Sequence, residues 1–120
     1  MQVFNRGVSA GDVVQFLSEG VWLDKDILPR YQVTNATRMV SQDNNRYRIM
    51  RGSQVIYDPG LTKQDLTASL MNGAQIEVKG ILGVITAISI ESGYSGRTNH
   101  FNVTIWDGTS HHTFYVHTRD

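Results

Sequence analysis

A mostly β domain, folded as a small barrel with a short N-terminal helix and one helix between the third and fourth strands, is the fold class that this chain of 120 residues predicts. Three observations carry the expectation. Runs of β-branched and aromatic residues, punctuated by Gly, Pro and Asn-Asp clusters, occupy most of the length. One strong helix-start signature, Leu61-Thr62-Lys63-Gln64-Asp65-Leu66, interrupts them. Glycines at 80 and 83 then break a long β-prone stretch, as a strand bending sharply around a small barrel requires. The length suits one core and one domain, residues 1–120.

Taken in order, Ser9-Ala10-Gly11-Asp12 places a capping serine and an acid ahead of Val13, Val14, Phe16 and Leu17, which predicts a short helix over residues 8–20 ending at Gly20. Residues 21–28 are polar and acidic, precede Pro29, and read as a connecting loop. Residues 31–40 and 46–51 read as two strands of a hairpin, separated by the polar cluster Ser41-Gln42-Asp43-Asn44-Asn45. A third strand, residues 54–57, is closed by Asp58-Pro59-Gly60. The helix that follows runs from Lys63 to about Met71, with Thr62 as N-cap, Leu61 and Leu66 as a hydrophobic staple, and Asn72-Gly73 as a left-handed ending. Residues 74–91 are β-prone, and a second hairpin, with arms at about 99–106 and 110–118, turns through Asp107-Gly108-Thr109. Strands, one helix, then strands with glycine bends is the order of an OB-type barrel, with the first helix as an added cap. A β-sandwich with peripheral helices is the alternative.

Composition narrows the chemistry. The chain has no cysteine, so a disulfide framework, a thiolate zinc site and a cysteine nucleophile are all excluded. Residues 1–10 lack the organisation of a signal peptide, and the apolar stretch 81–90 is far shorter than a membrane span, so an intracellular protein without a membrane partner is expected. The sequons Asn35-Ala36-Thr37 and Asn102-Val103-Thr104 are read as chance. Formal charge sums to zero. Its distribution is uneven: Arg30, Arg38, Arg46, Arg48 and Arg51 stand against Asp43 alone within residues 30–51.

Two surfaces are candidates for function. Alternation in the arginine strand points Arg46 and Arg48 the same way around Tyr47, and the predicted hairpin brings Arg38 beside them. Guanidinium forks grouped in this way suit carboxylates or phosphates. Whether its turn centres on Asp107-Gly108 or on Gly108-Thr109, the terminal hairpin puts Phe101, Val103, Ile105, Phe114 and Val116 on a core face, and His100, Asn102, Thr104, Trp106, His111, Thr113, Tyr115 and His117 on the other. Trp106 and Tyr115 there could serve as platforms for stacking bases. With the turn centred on Gly108-Thr109, His100 faces His117 while His111 lies three pairs further along; two ligands do not make a structural zinc site, and no metal or other cofactor is expected. Paired carboxylates on apolar strands, a nucleophile elbow, a phosphate-cradling loop and a His-Glu metal motif are all absent from the sequence, so binding rather than catalysis is expected.

A helix, a proline, Tyr31-Gln32-Val33-Thr34-Asn35, a polar loop, and Arg46-Tyr47-Arg48-Ile49-Met50 make an order that resembles the N-terminal OB-fold domain of the replication protein A large subunit, over residues 8–78. The resemblance implies a nuclear protein-interaction module of a replication or repair complex that binds single-stranded DNA. Its basic groove would receive acidic amphipathic segments of replication and repair proteins, touch single-stranded DNA weakly, and associate with other subunits of a replication protein A-like complex. Arg46 and Arg48 match the basic strand of that groove; Arg38 lies one place beyond a basic position that Thr37 occupies here. Tyr47, Arg51 and Arg30 complete the expected partner-binding set, with Lys79 and Arg97 as candidates near the end. The chain departs from the family at Arg51-Gly52-Ser53, where an Ser-Asp-Gly turn is usual, and in its histidine-rich terminal hairpin. Two other readings stand beside this one. A single-stranded nucleic-acid binder would stack bases on Trp106, Tyr115 or Tyr47, and a structural subunit would add the edge of residues 110–118 to an oligomer.

Overall fold

The computed structural model describes residues 1–43, 45–90 and 99–120. The chain is mostly β, as expected, with two four-stranded sheets. It divides into two compact units, Gln2–Gly60 and Leu61–Asp120, the latter including Met1.

The first unit contains β1 (Val13–Ser18), β2 (Val21–Ile27), a single 3-10 turn (Arg30–Gln32), α1 (Val33–Gln42), β3 (Tyr47–Arg51) and β4 (Gln54–Tyr57), in the sheet order β2-β1-β3-β4 with every pair antiparallel. Three sequence expectations are corrected here. The helix over 8–20 is instead a turn followed by β1. Glu19 and Gly20 both take left-handed conformations, φ 49° and 77°, in a two-residue connection between paired Ser18 and Val21. That is the backbone of a tight hairpin and not of a helix end. Ser9 and Asp12 do make a cap-like contact, the Ser9 amide donating to the Asp12 carboxylate at 2.9 Å, but it closes a turn.

The loop over 21–28 is β2, an outer strand whose Asp24, Lys25 and Asp26 are exposed. Edge strands tolerate such charges, which hides them from a search for apolar runs. The strand over 31–40 is α1. Its β-branched content argues for a strand, but Val33, Ala36 and Val40 recur at helical spacing and pack on Val14, Ile49 and Tyr57. Thr37 satisfies its hydroxyl by donating to the Val33 carbonyl at 2.7 Å, which removes part of the cost of a threonine in a helix. Packing outweighs the weak propensity. The predicted hairpin 31–51 is therefore replaced: Tyr47–Arg51 pairs with β1 on one side and β4 on the other. Asn44 of the predicted polar loop lies outside the described residues.

The second unit contains α2 (Lys63–Asn72), β5 (Ile76–Val78), β6 (Ile81–Ile90), β7 (His100–Trp106) and β8 (His111–His117), in the order β5-β6-β7-β8. Here local signals decide. Thr62 accepts from the Asp65 amide at 3.2 Å while the Asp65 carboxylate accepts from the Thr62 amide at 2.9 Å, a complete capping box. Gly73 ends α2 at φ 70°, as Asn72-Gly73 predicts. Leu66 of α2 joins Leu61, Ile76, Val78, Ile85, Val103, Ile105 and Val116 in the core. Gly80, with Lys79, forms the two-residue β5–β6 turn, and Gly83 permits a close approach to β7. Residues 91–98, and with them Glu91 of the β-prone stretch and Arg97 of the basic candidates, lie outside the described residues.

Candidate functional site

The six residues of the expected partner-binding set do not form one surface. Side chains alternate along β3, so Tyr47 and Ile49 face α1 and Arg48 faces away from it. Arg38 is exposed on α1, and therefore on the other side of the sheet from Arg48. Arg30 is exposed on the 3-10 turn. Arg46 is exposed just before β3, with its carbonyl accepting from the Leu17 amide at 2.7 Å.

Arg48 and Arg51 have local structural partners. The Arg48 Nε donates to Gln15 Oε1 at 2.8 Å, and Gln15 Nε2 donates in turn to Asp24 Oδ1 at 2.9 Å, so one polar ladder crosses β3, β1 and β2. The Trp22 ring lies 4.2 Å from the Arg48 guanidinium carbon and covers its face. Arg51 grips Asp12 with two bonds, Nε to Oδ1 at 2.9 Å and Nη2 to Oδ2 at 3.0 Å, and also donates to the Gly7 carbonyl at 2.9 Å. Asp12 is only 2% exposed. The Arg51 hydrogen bond holds its carboxyl below the usual carboxylate range, and the same contact raises the guanidinium. This bidentate pair ties the 7–12 turn to the end of β3.

On the α1 side of the sheet the fold assembles a groove that the sequence reading did not include. Its floor at one end is Phe16 and Tyr47, a tilted ring pair with centroids 5.4 Å apart, flanked by Leu23, which is half exposed. This end encloses about 310 Å³. The adjoining end, about 270 Å³, lies against α1 and is lined by Val14, Leu28, Ala36 and Met39, with Gln32 and Asn35 at its rim. Lys25 lines both ends, with Asp24 beside it at the first and Asp26 at the second.

Its position follows from register. Val14 pairs with Asp26 and Gln15 with Asp24, which leaves Lys25 as the extra residue of a β-bulge. A bulge re-aims the side chain it inserts. The Lys25 ammonium donates to the Tyr47 hydroxyl at 3.2 Å and sits 4.8 Å from the centre of its ring. The result is a cation over an apolar floor beside an outer strand, between the carboxylates of Asp24 and Asp26. A local signal existed: after Glu19-Gly20, apolar residues recur at alternate positions Val21, Leu23 and Ile27, broken only at Lys25.

The terminal hairpin forms with the register centred on Gly108-Thr109, so His100 faces His117 and Trp106 faces His111. The His100 ring stacks on His117 with centroids 5.5 Å apart, its Nδ1 hydrogen-bonds to the Tyr115 hydroxyl, and the residue is buried. Tyr115 is thus tied into the sheet face. Trp106 is 39% exposed and tilted against the His111 ring at 4.8 Å. Among the described residues no group of three or more acidic or histidine side chains is placed to hold a metal ion.

Asp107, His112 and Ser110 lie together at the turn, but His112 Nε2 faces both Asp107 Oδ2 at 2.7 Å and Ser110 Oγ at 3.2 Å. A catalytic histidine must use different nitrogens for its acid and its nucleophile, so this cluster is a turn brace. The Ser110 amide first, then His112 and the Thr109 amide, hold the Asp107 carboxyl far below the usual range. Among the described residues no helix is long and apolar enough to cross a membrane. No protein-family model, no curated protein and no solved structure matches this chain.

Proposed function

We propose that this chain is a protein-interaction module, and that it takes its partner in the groove over Phe16, Lys25 and α1. The observation that carries the reading is an apolar floor shared by two adjoining cavities of about 310 and 270 Å³, with Lys25 common to both and Asp24 and Asp26 each lining one. Apolar floors accept hydrophobic side chains of a partner, and the exposed Lys25 ammonium offers a charged contact at their rim.

The specific form of this reading comes from the resemblance: an OB-type barrel in a nuclear replication or repair complex, receiving acidic amphipathic segments and touching single-stranded DNA weakly. Arg46-Tyr47-Arg48-Ile49-Met50 supports it, since Tyr47–Arg51 is extended where the resemblance implies a basic strand. Arg30, Arg38 and Arg46, all exposed, add cations for long-range attraction. A single-stranded nucleic-acid reading has one observation of its own, the exposed Trp106 ring beside His111.

Titration of a fluorescein-labelled acidic amphipathic helical peptide tests the proposal. Binding that weakens with salt, and falls about tenfold or more in Lys25→Glu, is the expected result. Unchanged affinity in both Lys25→Glu and Arg46→Glu overturns it. Tighter binding of an oligothymidylate, lost in Trp106→Ala, would favour the nucleic-acid reading instead.

A further inference from the structure

We infer that the end of the groove lying against α1 is a pocket for a free α-amino acid with an apolar side chain, bound as its zwitterion. The inference goes beyond the interaction reading and does not depend on it. The cavity, about 270 Å³, lies near the lower limit of small-ligand pockets, roughly 300 Å³, and so suits a molecule of amino-acid size. Val14, Leu28, Ala36 and Met39 form its apolar part. Among the described residues its charged lining is one residue of each sign, Lys25 and Asp26, with the amides of Gln32 and Asn35 beside them. Asp24 lines the other cavity, and its carboxylate already accepts from Gln15 Nε2 at 2.9 Å.

The bulge brings these two charges to one cavity. Neighbours on a regular strand point to opposite faces, so a lysine and the aspartate after it do not ordinarily share a pocket. Here Asp26 stands opposite Val14 across the β1–β2 ladder and takes the α1 side with it. The inserted Lys25 is turned to the same side, where the Tyr47 hydroxyl accepts from its ammonium at 3.2 Å. Among the described residues no ion pair joins Lys25 to Asp26, and no hydrogen bond engages the Asp26 carboxylate or the side-chain amides of Gln32 and Asn35. The polar groups are in place and open to a ligand.

An amino acid matches each part. Its carboxylate meets the Lys25 ammonium, its ammonium meets the Asp26 carboxylate, and its side chain covers Ala36 and Met39. A ligand of one sign alone is attracted by one of the two charged residues and repelled by the other. A small zwitterion satisfies both.

An amide chemical-shift titration of the intact, isotope-labelled chain with L-leucine, glycine, N-acetyl-L-leucine and L-leucinamide tests the pocket. Glycine lacks the apolar side chain and each derivative lacks one charge, so all three should bind about tenfold or more weaker than leucine. Two variants assign the charges. Asp26→Asn should weaken leucine about tenfold without weakening N-acetyl-leucine, which has no ammonium to lose. Lys25→Met should weaken leucine about as much without weakening leucinamide, which has no carboxylate. Both side chains are exposed, so both variants should fold, which an unchanged circular dichroism spectrum checks. Absence of leucine binding at about 10 mM, equal binding of leucine and its derivatives, or variants that weaken every ligand alike overturns the inference.

Discussion

The Ser69 hydroxyl of α2 accepts the Ile85 amide of β6 at 2.8 Å, inside the core of the second unit, where Ser69 is fully buried. The contact explains a polar residue in a helix otherwise anchored there by Leu66. Register slips between Ile85 and Ala87, so the β6 ladder is interrupted at the position where a backbone amide needs another acceptor. Ser69 supplies it.

Ser69→Ala leaves the Ile85 amide buried without that acceptor. The expected loss is about 1–3 kcal/mol, the penalty of an unpaired buried donor. A urea titration should show a lower midpoint at unchanged slope. A loss below about 0.5 kcal/mol would show that the hydroxyl is dispensable.

Gly83 depends on space and not on backbone angle. A Cβ built there would lie 2.4 Å from the Trp106 carbonyl oxygen and 3.0 Å from its carbon, both backbone atoms that cannot swing aside. Gly83→Ala should therefore cost roughly 3 kcal/mol, the upper part of the overpacking range. Amide exchange should quicken in β6 and β7 and leave the first unit unaltered.

Acid should weaken the first unit through Asp12. Its carboxyl is held below the ordinary value by Arg51, so the stabilisation is present above about pH 4 and is lost as pH falls through the depressed native value. Asp12→Asn is expected to cost roughly 1–2 kcal/mol at neutral pH, kept modest by an Arg51 side chain that is 49% exposed. Chemical denaturation between pH 2 and 7 should show the two proteins converging at the acid end. Parallel curves would contradict the assignment.

Two turns leave room for improvement. Glu19 and Lys79 both hold φ 49°, a left-handed conformation that costs an ordinary side chain strain, and each precedes a glycine in a two-residue hairpin turn. Glu19→Asn and Lys79→Asn should each stabilise by about 0.5–1 kcal/mol, additively because the turns belong to separate units. Thermal unfolding of the double variant checks both.

How much of this was legible depends on where the deciding physics sits. In the second unit it is local. The Thr62–Asp65 reciprocal cap, the left-handed Gly73 and the turn in which Asp107 Oδ1 accepts the amides of Thr109 and Ser110 all act within a few residues. They are readable in the sequence, while the pairing of His100 with His117 came with the Gly108-Thr109 turn centre, one of the two the sequence allowed.

In residues 8–42 the local signals point the wrong way. Val13-Val14-Gln15-Phe16-Leu17 suits a helix or a strand, and it is a strand because β2 and β3 pair on both its sides. Val33, Thr34, Thr37 and Val40 favour a strand in isolation, and they form a helix because three small apolar residues fit over Val14, Ile49 and Tyr57.

The arginine cluster dispersed for the same reason. Moving residues 33–42 from a strand to a helix carried Arg38 away from Arg48, while Gln15, Trp22 and Asp12 engaged the strand arginines. By itself the amino-acid sequence determined the mostly β class, the helix at 63–72 and the two faces of the final hairpin, since caps, turns and strand alternation are short-range problems. Only the tertiary structure decided the helix at 33–42, the bulge at Lys25 and the groove over Phe16, because burial between elements distant in sequence outweighs propensities worth a few tenths of a kcal/mol per residue.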